Sequence, residues 1–286
     1  MWKRKVLSIL LILTILLSSN YGKVSASSSN SSLKRNVYYA YGMSAEQLAA
    51  IDAKKYMITH ICYAFFYLTP ESDGKLTSKK DTTPSSSSSY YVDSTTSAKL
   101  KALAGLKSKY PWLKILISIG GSDDKQTERF VTVASNEKYR KQLGVSCRDL
   151  INAYNLDGID LDWEHPENTS EANNYRRICR DIRGEIGGKG EGKLLTAAVP
   201  ISSSFVNTTM ADQIKPMNDY LDFWNLMTYD LGSSSRYSFV APYERKSGSE
   251  SYGFSSVVEG IDMYYKKGIE YADMNLGVPF YGKMLT

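Results

Sequence analysis

The chain has 286 residues, of which 42% are hydrophobic and 23% are charged, so it can bury a sizeable core and a disordered protein is excluded. Four of its 35 Lys and Arg residues lie in the first 26 positions, and the rest of the chain carries 31 basic against 30 acidic residues. This near-neutral balance gives no electrostatic reason to expect nucleic acid or anionic lipid as a partner, and it favours a neutral ligand.

Residues 1–26 have the pattern of a secretory signal peptide. A basic start at positions 3–5 precedes an apolar run over positions 6–17, and small residues at positions 24–26 form a cleavage site. The apolar run is shorter than the roughly 17–25 residues of a transmembrane helix, which favours a cleaved signal over a membrane anchor. We therefore expect a secreted, extracellular protein with no membrane contact after cleavage and with a Ser-rich tether over residues 27–34. Three sequons are compatible with a glycoprotein in a eukaryotic host: Asn30, Asn168 and Asn207.

From residue 35 to residue 286, apolar runs alternate with longer amphipathic patterns, which predicts one α/β domain. The predicted strands cover residues 37–41, 58–68, 114–120, 158–163, 194–200, 221–229 and 275–281. The predicted helices cover residues 46–54, 97–110, 137–154, 173–186 and 255–267, and a Ser/Thr-rich loop is predicted over residues 81–97. Several strands are almost entirely apolar, which indicates a parallel sheet buried on both faces. A (β/α)8 TIM barrel is the natural closure, because the competing doubly wound sheet would need a Gly-rich phosphate turn after the first strand.

The fourth predicted strand carries acidic residues at every second position, namely Asp160, Asp162 and Glu164. Because side chains two residues apart share one face of a strand, three carboxyl groups are expected to crowd on one side of a buried strand. Burial and mutual repulsion raise the pKa of at least one of them and keep it available as a proton donor near neutral pH. Asp157 has the opposite parity and is expected to cap or orient the start of the strand.

The cysteines and histidines show no metal-ligand spacing, so we expect neither a metal nor a cofactor. His60 is interpreted as a core histidine and His165 as a residue at the lip of a cleft. Cys62 is interpreted as a buried thiol. A disulfide between Cys147 and Cys179, on successive predicted helices, stays open.

Three further motifs lie at the ends of other predicted strands. Residues 118–121 (Ser-Ile-Gly-Gly) close the third strand, residues 227–230 (Met-Thr-Tyr-Asp) close the sixth, and residues 277–282 (Gly-Val-Pro-Phe-Tyr-Gly) form the seventh. Together with the acidic segment 157–164, these motifs occur in the order found in family 18 glycoside hydrolases, the chitinases. From residue 37 to residue 283 the chain resembles that family.

The resemblance implies hydrolysis of β-1,4 linkages between N-acetylglucosamine units by a substrate-assisted retaining mechanism. Glu164 would protonate the glycosidic oxygen. Asp162 would hold the acetamido N–H, share a proton with Asp160 and stabilise the oxazolinium charge. Tyr229 would fix the acetamido carbonyl oxygen for its attack on the sugar. These four residues are the implied catalytic set.

The resemblance also implies that Tyr38, Phe65, Met227, Asp230 and Tyr281 bind the sugar, so chitin or N-acetylglucosamine oligosaccharides are the expected partners. Flat or flexible apolar side chains suit the faces of a sugar ring, and Asp230 would add a polar contact. A role as barrel-core filler fits Phe65 and Met227 equally well.

Some positions depart from the family pattern. Ser122 stands where Trp is common, and His165 stands where Tyr or Phe usually follows the acid. The chain ends at Thr286, directly after the seventh predicted strand, so we expect an incomplete barrel with strands one to seven and a chain truncated before strand eight. A chitin-binding lectin on the same barrel and an inactive truncated gene product are the alternatives to a hydrolase.

Overall fold

The structure is a computed structural model that describes residues 34–232, 239–244 and 256–282. The predicted signal peptide, the tether up to residue 33 and the sequon at Asn30 lie outside the described residues. Within the described ranges, no helix is both long enough and apolar enough to cross a bilayer.

The strands of the described residues form one sheet of nine. They are β1 (Val37–Tyr41), β2 (His60–Leu68), β3 (Leu76–Thr77), β4 (Tyr90–Tyr91), β5 (Lys114–Gly120), β6 (Gly158–Asp162), β7 (Leu194–Pro200), β8 (Phe223–Met227) and β9 (Met274–Leu276). Seven of them are parallel neighbours in the order β1, β2, β5, β6, β7, β8, β9. These seven correspond to the seven predicted strands, so the predicted parallel sheet is confirmed. Among the described residues, β1 pairs only with β2 and β9 only with β8.

Helices connect the parallel strands. They are α1 (Ala45–Ala49), α2 (Ser94–Lys109), α3 (Asp124–Ser135), α4 (Glu137–Tyr154), α5 (Thr169–Ile186), α6 (Ile214–Met217) and α7 (Val257–Lys266), with a π-helical turn at Phe205–Thr209 and a 3-10 turn at Tyr271–Asp273. Helix α5 shows why they form: Asn168 caps its first turn by accepting a hydrogen bond from the Glu171 N–H. Its buried residues recur at helical spacing from Ala172 to Ile186, so one face packs on the core.

Several parts of the chain differ from the sequence prediction. Strand β9 ends at Leu276, so residues 277–282, which were predicted to form the seventh strand, follow it. Strand β3 and helix α6 were not predicted. The loop predicted over residues 81–97 contains β4, and helix α2 starts inside it because Asp93 caps it by accepting a hydrogen bond from the Thr96 N–H. Helix α3 was not predicted, since its buried apolar residues begin only at Phe130, in the second half of the helix. Asp123 starts this helix by accepting a hydrogen bond from the Lys125 N–H.

The three cysteines are buried free thiols, so the disulfide left open between Cys147 and Cys179 is not formed. Burial raises the pKa of the Cys179 thiol to about 12. The interpretation of Cys62 as a buried thiol is confirmed.

The strand register places the motif residues at one level of the sheet. Ser118 of β5 lies opposite Asp160 of β6, and Gly120 lies opposite Asp162. Gly120 has a φ of +121°, and a Cβ atom there would lie 2.1 Å from the carbonyl oxygen of Asp162. Only glycine therefore permits this close approach of β5 to the acidic strand.

Candidate active site

The side chain of Trp163 determines which way the acidic residues of β6 face. Its ring stacks on Phe130 of α3 with centroids 5.3 Å apart and contacts Tyr175 of α5 at the same distance. Because side chains alternate along an extended chain, the neighbours Asp162 and Glu164 face away from these helices, towards the other side of the strand. The predicted common face of the three acids is therefore present.

Asp160 is completely buried and accepts four hydrogen bonds from four different strands. Its Oδ2 accepts from the Tyr39 hydroxyl at 3.1 Å and from Ser118 Oγ at 2.8 Å. Its Oδ1 accepts from Thr196 Oγ1 and from Asn225 Nδ2, the latter at 3.0 Å. Burial raises the pKa of this carboxyl group above its ordinary value, and all four hydrogen bonds oppose the rise.

Asp162 has the opposite surroundings. It is 5% exposed, and its Oδ1 is buried with no hydrogen-bond partner among the described residues. Burial is the largest cause that raises the pKa of Asp162 well above the ordinary value, and the charges of Glu164 and Asp160 add to it. Asp162 is thus the acid of this set that holds a proton most readily.

Glu164 lies two residues further on, where the strand opens to solvent, and it is half-buried. Burial, followed by the charge of Asp230, raises the pKa of Glu164 above its ordinary value. The hydroxyl of Thr127 in α3 donates to the backbone carbonyl of Glu164 at 2.8 Å and holds this end of the strand. A carboxyl group with a raised pKa keeps its proton to higher pH than an ordinary glutamate does, which suits a general acid.

The end of β8 brings two predicted residues to the acids. Burial raises the pKa of Tyr229 above its ordinary value, and the charges of Asp162 and Glu164 add to the rise. Tyr281 contacts the ring of Tyr229 edge-on with centroids 6.5 Å apart, and its hydroxyl donates to Asp230 Oδ2 at 2.7 Å. Burial, then this hydrogen bond, raises the pKa of Tyr281 to about 12.

The remaining predicted sugar-binding residues divide into two groups. Phe65, inside β2, lies against Gly121 and 5.9 Å from the exposed ring of Tyr41. Met227 is half-buried at the end of β8. The sugar-binding role of Tyr38 stays a prediction. The Tyr38 hydroxyl contacts Met43 Sδ at 3.6 Å, and the hydroxyl of the neighbouring Tyr39 reaches Asp160.

The sequence analysis named none of the four donors to Asp160 as a site residue. Ser118 entered only as part of the motif 118–121, and Thr196 and Asn225 stand in apolar strands where a single polar residue carries no local signal. The alternation of strand faces, applied from Asp160 through the sheet register, is the signal that finds Ser118 and Thr196.

The two histidine side chains each pack against a phenylalanine ring. His60 sits at the start of β2 beside Phe223, and burial, then the charges of Arg35 and Lys114, lowers its pKa to about 4. His165 packs edge-on against Phe205 at 5.4 Å. Among the described residues, no three His, Cys, Asp or Glu side chains are grouped as metal ligands.

A charged cavity of about 400 Å³ lies at the start of α3, beside Ser122. Four of its charged residues form two ion pairs within the cavity wall, Lys80 with Asp123 at 2.5 Å and Arg129 with Asp81 at 2.5 Å. None of the predicted catalytic or sugar-binding residues lines it, so it is separate from the acidic strand.

Comparisons with known proteins identify relatives over most of the chain. The family model described as glycosyl hydrolases family 18 matches residues 34–286. A curated relative, probable chitinase 2 of Drosophila melanogaster, is 29% identical over 187 residues, which cover 63% of this chain and 37% of the relative.

Two solved structures share the fold. Chitinase ChiA74 of Bacillus thuringiensis aligns with a TM-score of 0.69 and 26% identity, covering 87% of this chain and 48% of that one. Catalytic domain 2 of the group II chitinase of Ostrinia furnacalis, described as a complex with an N-acetylchitooligosaccharide, aligns with a TM-score of 0.70 and 23% identity over 85% of this chain and 63% of that one. The predicted α/β fold of TIM-barrel type is confirmed. The chain spans less than two thirds of the length of each of these relatives.

Proposed function

Because the chain belongs to family 18 of the glycosyl hydrolases, we propose that it is a secreted chitinase-type hydrolase that cleaves β-1,4 linkages between N-acetylglucosamine units. The proposed domains are a signal peptide over residues 1–26, a tether over residues 27–34 and a catalytic barrel over residues 35–286. The proposed partners are chitin and its oligosaccharides. The complex described for the Ostrinia furnacalis relative supports this choice.

One observation carries the proposal: Asp162 and Glu164 stand next to each other on one face, both with raised pKa values, beside the hydroxyl of Tyr229. A protonated Glu164 at the open end of the strand can protonate the glycosidic oxygen. The acetamido carbonyl oxygen of the same substrate then attacks the anomeric carbon, and the bond to the leaving group breaks. This gives an oxazolinium ion with the positive charge next to the acids.

The neighbouring groups would assist both halves of this reaction. Asp162 accepts from the acetamido N–H once its proton has turned towards Asp160 or left, and Tyr229 holds the acetamido carbonyl oxygen in line for attack. Glu164, now a carboxylate, takes a proton from water, and the resulting hydroxide opens the oxazolinium with net retention. Asp230 and Tyr281, which are joined by a hydrogen bond, would contact the sugar beside Glu164.

The first test replaces the proton donor. Glu164→Gln keeps the shape of the side chain and removes the proton, so hydrolysis of chitin oligosaccharides should fall by about 10²- to 10⁴-fold or more while binding is retained. Glu167→Gln is the matched control, because the same change is made on the same loop at an exposed position. Retained turnover in Glu164→Gln would refute the assignment, and binding without any cleavage by the natural chain would indicate a lectin.

Substrate choice and pH test the mechanism further. Glu164 must be protonated for the first step, so activity should fall as pH rises through its raised pKa. Chitosan lacks the acetamido nucleophile and should not be cleaved at linkages between its deacetylated units. Efficient cleavage there would argue against substrate assistance.

A further inference from the structure

Two asparagine side chains link Asp160 to Arg35 through a series of three hydrogen bonds. Arg35, just before β1, donates from Nε to Asn275 Oδ1 at 3.3 Å. Asn275 of β9 donates from Nδ2 to Oδ1 of Asn225, its register partner on β8, at 2.8 Å. Asn225 donates from Nδ2 to Asp160 Oδ1 at 3.0 Å.

The orientation of both amide groups in this series follows from the chemistry of Arg35. A guanidinium group has only N–H donors, so the group that faces Arg35 must be the amide oxygen of Asn275. The amide nitrogen of Asn275 then faces Asn225 and requires its oxygen. The nitrogen of Asn225 is left to face Asp160, so each amide is oriented by the one before it.

Arg35, the first member of this series of hydrogen bonds, is held in place by two further contacts. Its Nη2 donates to the carbonyl oxygen of Ala272, and its guanidinium carbon lies 4.6 Å from the centroid of the Phe223 ring. The ring attracts the cation electrostatically.

The donor from Asn225 differs in kind from the other three donors to Asp160. The hydroxyl groups of Tyr39, Ser118 and Thr196 can rotate and accept a hydrogen bond from a protonated carboxyl group, whereas an amide N–H cannot. A proton on Asp160 can therefore point to a hydroxyl group but not to Asn225, whose N–H at Oδ1 favours the ionised carboxyl group unless Asn225 inverts. Asn275 would then invert as well and would present its N–H groups to the N–H of an arginine.

We propose that Arg35, Asn275 and Asn225 form an orientation relay that keeps Asp160 ionised and leaves the proton of the acidic pair on Asp162. Asp162 Oδ1, which is buried without a partner, is the position that such a proton can occupy. The three relay members are positioning residues, since none of them contacts the reacting atoms. Their effect on turnover rests on the proposed hydrolase function, but their effect on Asp160 does not.

Other titratable groups also act on Asp160 and must be held constant in a test. From the surrounding elements these are Tyr39 of β1, Cys62 of β2, Asp162 of β6 and Tyr175 of α5. Substitutions at Asn275 leave all four unchanged.

The test compares Asn275→Leu with Asn275→Asp in the full chain. Leucine breaks the relay, so Asn225 can turn when Asp160 is protonated, and the ionisation midpoint of Asp160 should rise by about half a pH unit. Aspartate can only accept hydrogen bonds and pairs with Arg35, so it competes for the N–H groups of Asn225. The midpoint should then rise by about one pH unit or more.

The midpoint is measured from the carboxyl resonance in protein labelled with carbon-13 aspartate, assigned by its absence in Asp160→Asn. The midpoint should be lowest in the natural chain, higher in Asn275→Leu and highest in Asn275→Asp. A rise in Asn275→Asp alone would be a through-space charge effect and would overturn the relay, as would any other order. Unfolding temperatures report whether both variants fold. If Asn275→Asp does not fold, Asn275→Leu is repeated in an Arg35→Met background, where the through-space charge of Arg35 is absent from both proteins compared. The relay predicts no further rise of the midpoint in that background, and a full additional rise would overturn it.

Turnover gives a second measurement. The acidic limb of kcat/KM for chitin oligosaccharides should move to higher pH in the same order, by the same amounts, with the basic limb unchanged. A one-unit shift corresponds to about a tenfold loss of kcat/KM well below the limb. If the natural chain does not cleave chitin, the proposed function fails, whereas the carboxyl titration still decides for or against the relay.

Discussion

Tyr39→Phe is the change that most directly tests how the fold holds Asp160. The substitution removes one hydroxyl group from β1 and leaves the ring in place. The lost contact is the hydrogen bond to Asp160 Oδ2 at 3.1 Å, which joins two residues 121 positions apart in the chain. No other donor among the described residues replaces it, because Ser118 already donates to the same oxygen.

The structure allows the size of the effect to be worked out. A hydrogen bond to a charged group contributes about 1.5–3 kcal/mol, and one pKa unit corresponds to about 1.4 kcal/mol. Tyr39→Phe should therefore raise the pKa of Asp160 by about one to two units. At pH 7 the free energy of unfolding should fall by about 1.5–3 kcal/mol, which for a domain of this size lowers Tm by on the order of 5 °C.

The sign of the pH dependence follows from the protonation state of Asp160 that the Tyr39 hydroxyl stabilises. The phenol stabilises the ionised form of folded Asp160, so its removal costs stability in full where Asp160 is ionised. As pH falls through the raised pKa of the variant, the carboxyl group takes up a proton and the difference from the natural chain shrinks. The acidic limb of the activity profile should move to higher pH.

The assay is urea unfolding at neutral and acidic pH together with the pH profile of chitin oligosaccharide cleavage. Tyr38→Phe is the matched control, since it makes the same chemical change one position earlier and loses only the contact with Met43 Sδ at 3.6 Å. It should change stability by no more than a few tenths of a kcal/mol. A larger effect of Tyr38→Phe than of Tyr39→Phe, at either pH, would refute the placement of these two side chains.

Two further predictions concern the elements around the site. Gly120→Ala should lower the free energy of unfolding by at least about 2 kcal/mol, because its Cβ would meet the carbonyl oxygen of Asp162 at 2.1 Å. The control is Gly184→Ala, in open space on α5, which should be neutral or stabilising. Equal urea midpoints for the two variants would contradict the reasoning. Asn168→Ala should cost about 1 kcal/mol by removing the cap of α5. Asn168→Ser keeps an acceptor for the Glu171 N–H without adding a charge beside the Glu171 carboxylate, so it should cost much less. An equal loss of thermal stability in both variants would show that the cap is unimportant.

Much of the fold could be predicted from local patterns. Strands β1, β5 and β7 and helix α4 have the predicted bounds, because each is either a short apolar run or a long amphipathic one. Helix α3 and strand β4 were missed, since the first carries few apolar residues in its first half and the second is two residues long and is held by pairing with β3. Propensity within a window cannot report such pairing.

The sequence by itself determined that Asp160, Asp162 and Glu164 share a face, because the period of a strand is a property of the chain alone. The tertiary structure decided which hydrogen bonds each of these acids receives. The four donors to Asp160 are between 36 and 121 residues away in the chain, on four other strands, while Asp162 receives none at Oδ1. It also decided that Tyr39 rather than Tyr38 faces the acids, since a strand's parity becomes inward or outward only when the register between strands is set.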